Sequence, residues 1–183
     1  MSLWWLVLIA VVGVAVWLYN SLVGLRNQVR NAWSQIDVQL KRRHDLIPNL
    51  VGAVKGYMQH EREVLERVAE ARARAMGARG PAASGEAEGQ LSQAVASLIA
   101  VAERYPDLKA NQNVLALQEE IVTTENRIGF ARQLYNDMVA RYNTRQQVFP
   151  LNLVAAGLGF QLAEFFQMDA AERALPKVDL SGR

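Results

Sequence analysis

Residues 3–25 read LWWLVLIAVVGVAVWLYNSLVGL and contain no Asp, Glu, Lys, Arg or His. Wound as a helix at about 1.5 Å per residue, a stretch of this length crosses the ~30 Å hydrocarbon layer of a bilayer. Its alternatives are a cleaved leader or a buried core helix. A leader needs a basic segment ahead of the apolar run and a small-residue cleavage site behind it. Met1 and Ser2 carry no basic side chain, and no Ala-x-Ala directly follows. Trp4 and Trp5 lie at one end, Trp17 and Tyr19 at the other. Amphipathic rings prefer the headgroup level, so these four residues are expected to mark the two membrane interfaces of a retained single-span anchor.

Orientation follows from flanking charge. Arg26 and Arg30 come directly after the run, followed by Lys41, Arg42 and Arg43. Positive residues close to a span stay cytoplasmic. The expected topology is a short N-terminus outside and the body inside, with the chain held at the cell (inner) membrane. Of the 183 residues, about 155 remain beyond the anchor, enough for one domain with a core. With no cysteine, the chain has no disulfide framework, thiolate metal site or thiol nucleophile. A net charge of +2 with 21% charged residues lacks the concentrated basic face of a nucleic-acid binder, so no nucleic-acid partner is expected.

After the apolar run the pattern becomes one-sided. Leu22, Leu25, Val29, Trp33, Ile36 and Leu40 recur at spacings of three and four, the signature of a helix burying one stripe. No Gly, Pro or cap cluster separates this stripe from the anchor, so one continuous helix is expected. Pro48 must end or kink it, with a kink favoured and Asp45 placed to cap the restart. The helical period then resumes from Ile47 through Leu50, Val54, Met58, Leu65 and Val68 to Ala71. Residues 77–89, GARGPAASGEAEG, show no period and read as a loop. Leu91, Val95, Leu98 and Ala102 make a further helix, ended at Pro106, with Asp107 as cap for the next. That last long helix carries Val114, Leu117, Ile121, Ile128, Tyr135, Val139 and Tyr142 and stops at Phe149-Pro150.

No strand alternation or hairpin dipeptide appears. The expected fold is all-α: an N-terminal transmembrane helix (1–25) continuous with a long-helix, antiparallel four-helix bundle (26–168, loop 77–89), packed in coiled-coil fashion. Residues 169–183 are expected to form an extended tail. Residues 151–166, LNLVAAGLGFQLAEFF, are apolar but short and broken by Gly. Leu151, Leu153, Leu158, Phe160, Phe165 and Phe166 are therefore expected either to cover the bundle or to meet a partner or lipid.

Catalytic constellations are thin. His44 adjoins Asp45 and His60 adjoins Glu61, but the i, i+4 pairing of a helical zinc site is missing. There is no phosphate-cradling glycine loop and no serine elbow. No catalytic residue, metal ligand or cofactor is expected. On the last helix Glu125 and Arg132 flank the stripe with Asn136, which suggests a structural polar network if they are buried.

Several motifs together resemble the LemA family: NAWSQIDVQLKRRHDLIPNLVGAVKGYMQHE (31–61), AERYPDLKANQN (102–113), TENRIGFARQLYND (124–137), YNTRQQVFP (142–150) and Pro176-Lys177-Val178. The resemblance runs almost the full length and implies an N-terminal membrane helix, an antiparallel helical bundle, and no known enzymatic activity or cofactor. The expected function is a non-enzymatic membrane-anchored scaffold or adaptor. Its partners would be the lipid bilayer, further copies of itself, and unidentified membrane or cytoplasmic proteins. One alternative is a lipid-binding or membrane-remodelling protein using residues 151–166. Another is a metal-dependent hydrolase using His44, Asp45, His60 and Glu61.

Overall fold

The computed structural model describes residues 3–168. The order of elements is α1 (Leu3–Lys55), α2 (Arg62–Gly77), α3 (Pro81–Ala102), α4 (Pro106–Lys109), α5 (Gln112–Gln147) and α6 (Leu151–Gly157). The described residues contain no strand, as the unbroken helical period predicts. Residues 169–183, expected to be an extended tail, lie outside the described set.

The described residues divide into two compact units, one of residues 3–37 with 130–164, the other of 38–129 with 165–168. In the second, the end of α1, the helices α2 and α3, and the start of α5 share one core. It contains Leu46, Leu50, Val54, Val68, Ala71, Leu91, Leu98, Val114 and Ile121. These are the three- and four-spaced positions of four amphipathic stripes, and at about 25 cal/mol per Å² their burial is the main force holding the unit together. In the first unit, Leu18 and Leu22 of α1 pack on Leu151 and Ala155 of α6. Trp33 lies against Tyr135, with ring centroids 5.4 Å apart.

The structure corrects four expectations. The first is the Asp45 cap: α1 passes through Pro48 without ending, as the favoured kink in one long helix allows, and Asp45 lies inside the helix with no restart to cap. A proline within a helix leaves the carbonyl four residues earlier without its amide. Here that carbonyl, of His44, accepts a 2.8 Å hydrogen bond from Arg72 Nε on α2, so the freed acceptor stays satisfied. The second correction concerns the helix expected to run from Ile47 to Ala71. It is interrupted at residues 56–61, where Met58 turns back onto the core, fully buried, between α1 and α2.

Third, the loop expected at residues 77–89 shrinks to 78–80. Pro81 opens α3, where a missing amide is harmless at the first turn. Gly85 and Gly89 sit buried inside that helix because the chain at Gln167 and Met168 crosses them. A β-carbon at either site would overlap the backbone carbonyl of Gln167 or Met168. The residues that look like a linker are small because a backbone passes over them. Fourth, α5 is capped by Asn111, not Asp107: its Oδ1 accepts the amides of Asn113 at 3.0 Å and Val114 at 3.3 Å. The intervening turn is α4.

Candidate functional site

In the second unit the buried stripe of α1 runs Leu40, Ile47, Leu50 and Val54. The position completing the four-three spacing is Arg43, which is 1% exposed. α3 places Glu88, also 1% exposed, between Gly85 and Leu91 on its own buried face. α5 offers Glu125 between Ile121 and Ile128. These three charged residues meet. Arg43 donates through Nη2 to the Glu88 carboxylate and, at 3.2 Å, to the Glu88 carbonyl. Through Nη1 it reaches Glu125 at 2.5 Å and Ser92 Oγ at 2.8 Å. Ser92 donates in turn to Glu125 at 2.8 Å. His44 Nε2 lies 2.7 Å from the other Glu88 oxygen.

One guanidinium thus bridges carboxylates from two helices, with both Glu88 oxygens engaged. Charge-assisted bonds of this kind are strong and directional. A buried ion pair adds little net stability over apolar packing, but breaking one side is expensive, so its best-attested use is to fix register. Arg43 and Glu88, the centre of the cluster, are withdrawn from solvent, while the Glu125 side chain stays partly exposed. The neighbouring Arg42 pairs with Glu120 across half-exposed surface, where such a pair contributes little.

In the first unit the site lies at the end of the apolar run. Residues 3–17 of α1 are all exposed, including Trp4, Trp5 and Trp17, and Tyr19 is exposed at the run's C-terminal end. Leu18 and Leu22 are buried beneath α6. α6 closes through Gly159, whose φ of 69° lets the Phe160 amide return to the Ala155 carbonyl at 3.1 Å, the glycine-terminated helix end. The turn sets the Phe160 ring edge-on to Tyr19 at 6.0 Å and 5.1 Å beneath the Arg26 guanidinium, a cation–π arrangement.

The extended chain beyond is strapped to α5 by side chains. Asn143 bonds both backbone groups of Ala163 at 2.9 Å, and Tyr135 donates to the Glu164 carbonyl at 2.7 Å. Burial, reinforced by the Glu164 charge, pushes the Tyr135 hydroxyl up to about 12. Burial also raises Tyr142, opposed by Arg26 and Arg30.

The expected polar residues divide between the units. Glu125 belongs to the Arg43 cluster, whereas Arg132 and Asn136 lie in the first unit. Of the expected partner-facing residues, Leu151 and Phe166 are buried, while Leu153, Leu158 and Phe165 are exposed. The four candidate metal ligands are not gathered. His44 is held by Glu88, Glu61 lies 3.4 Å from the Tyr105 hydroxyl, and no group of three or more His, Asp or Glu residues suited to a metal occurs among the described residues.

Residues 32–180 match the sequence model of the LemA family. The chain belongs to the LemA family. The match starts beyond the apolar run and covers the Arg43 cluster and the strap. Among similar proteins, Protein LemA of Metamycoplasma hominis is 28% identical over 155 residues, 84% of this chain and 71% of that protein. Magnetosome protein MamQ 2 of Paramagnetospirillum magneticum is 25% identical over 175 residues, 81% of this chain. Magnetosome protein MamQ of Magnetospirillum gryphiswaldense is 23% identical over 174 residues, again 81%. This LemA-family chain spans 64% of the length of each of these two magnetosome proteins. Its α1 is long and apolar enough to cross a membrane, which fits a membrane location.

Proposed function

We propose that the protein is a single-span, membrane-anchored helical scaffold that self-associates or recruits partners at the membrane, with no catalytic activity of its own. The observation that carries this reading is the all-exposed apolar surface of residues 3–17 on a helix that continues without interruption to Lys55. In water such a surface would aggregate; in lipid it is at home. The most buried charged groups are engaged with one another, which suits fixing a shape better than performing chemistry. Phe130 is 76% exposed and Leu134, one turn later, 41%, an apolar face available to a second copy or another helix. Arg26 and Arg30, directly after the apolar run, support a cytoplasmic bundle.

Native mass spectrometry of the full chain in mild detergent, paired with cross-linking in membranes, tests the proposal. An oligomer or a reproducibly captured partner is expected, and Phe130→Ser should weaken it. A strict monomer with nothing cross-linked would overturn it.

A further inference from the structure

We infer that the chain touches the bilayer a second time, through an interfacial foot formed by residues 148–162 beside the anchor. The inference rests on the membrane-anchored reading above and names a further lipid-contacting surface.

Three observations support it, all within the unit that contains the anchor. The first is composition: residues 146–163, QQVFPLNLVAAGLGFQLA, contain no charged side chain, with Arg145 just before them and Glu164 just after. The second is exposure. Val148 is 50% exposed, Phe149 74%, Leu153 65%, Leu158 59% and Leu162 58%. α6 spends Leu151 and Ala155 on α1 and turns Leu153 outward, so the exposed residues are the remainder of an already docked segment.

The third is position. α6 is seated on Leu18 and Leu22, and Phe160 on Tyr19 and Arg26. Counted from Leu3 at 1.5 Å per residue, ~30 Å of hydrocarbon is crossed by about residue 23, so Leu22 lies at its edge. The polar layer beyond it is about 5–8 Å deep. The seat of α6 on Leu18 and Leu22 therefore falls at the boundary between hydrocarbon and headgroups, and its exposed leucines continue the lipid-facing surface of the span. An apolar helix face at that depth, flanked by cations, is the composition of an interfacial segment. Arg141 and Arg145, exposed one turn apart on α5, line a groove with Leu25 and Val148, where they can meet lipid phosphates. The occupant is thus the lipid surface of the membrane that the anchor crosses.

The chain's lack of cysteine makes the test direct. Full-length L153C, L158C and, as a reference within the span, V11C are labelled with an environment-sensitive fluorophore. Each is reconstituted in vesicles of phosphatidylcholine and phosphatidylglycerol carrying quenchers at shallow or deep acyl positions. A label at Val38, 63% exposed outside the foot, serves as the aqueous control. The labels at 153 and 158 should lose about half their emission to the shallow quencher, as interfacial groups do. The label at 11 should respond to the deep one, and the label at 38 to neither. Deep quenching at 11 with none at 153 and 158 would overturn the foot while leaving the anchor standing. Loss of quenching at 11 as well would overturn both. Labels at 153 and 158 that are shielded only at high protein-to-lipid ratio would assign the surface to a second copy and overturn the inference.

Discussion

The Arg43 cluster predicts a sharp difference between two adjacent arginines. Arg43→Met removes the cation and leaves Glu88, 1% exposed, with His44 as its remaining side-chain donor. Glu125, whose side chain is 40% exposed, can turn to water and keeps its bond from Ser92. The stranded charge is therefore chiefly Glu88. Removing one partner of a buried pair costs ~3–5 kcal/mol, and the surviving His44 contact places the loss near ~3. Arg42→Met breaks only a half-exposed pair and should cost no more than ~0.5 kcal/mol. In Arg43→Met with Glu88→Leu, no buried carboxylate is abandoned, and stability should return to within about 1 kcal/mol of the parent. The assay is denaturant unfolding of the full chain in mild detergent, followed by helical circular dichroism. The reasoning fails if Arg43→Met costs no more than Arg42→Met, or if the double variant loses the sum of its two single losses instead of showing the coupling expected of contacting residues.

Other features give shorter tests. Gly89→Ala should destabilise the fold, because its methyl meets the Met168 carbonyl. Gly52→Ala, in open space within α1, should stabilise by about 0.5–1 kcal/mol, and thermal unfolding separates the two. Asn143→Ala should cost about 1–3 kcal/mol by orphaning backbone groups of Ala163, with faster amide hydrogen exchange at Ala163 as the direct readout. Tyr135 ionises in the unfolded chain near 10 and in the fold at about 12. The neutral form is the one the fold prefers, so this contribution is intact below about pH 10 and is lost as pH rises through 12. Denaturation across that range should show the loss, and Tyr135→Phe should flatten it.

Much of this architecture is legible in the sequence, because an apolar stripe at helical spacing is a statement about burial. The exposed apolar run of α1, its continuity into the core-forming stretch and the long α5 are all visible in that pattern. Three features hide for physical reasons. Arg43 completes the stripe from Leu40 to Val54, yet beside Lys41 and Arg42 it looks like one of a surface cluster. Only the distant Glu88 makes its burial tolerable. Residues 81–90 look like a linker because three of the four buried positions, Ser84, Gly85 and Gly89, are small, sized to admit a chain segment about eighty residues away. The break at residues 56–61 leaves the apolar period intact, since Met58 remains in the core. The exposed side of α6 follows once α6 is seated on Leu18 and Leu22.

Pro48 has a consequence for how α1, α2 and α3 can be assembled. In the interior of a helix nearly every carbonyl is occupied by its own amide, and a proline frees one. Pro48 is the one proline in α1, and the carbonyl it frees belongs to His44, the residue whose ring is held by Glu88. Arg72 from α2 takes the backbone of His44 and Glu88 from α3 takes its side chain. The hairpin of α2 and α3 thus grips one residue from both ends. A slip along α1 by one turn, about 5.4 Å, would offer Arg72 a carbonyl already engaged and would leave Glu88 without its cation. Apolar stripes alone would tolerate such a slip, because leucines repeat. The proline serves as a notch that allows the hairpin one seat.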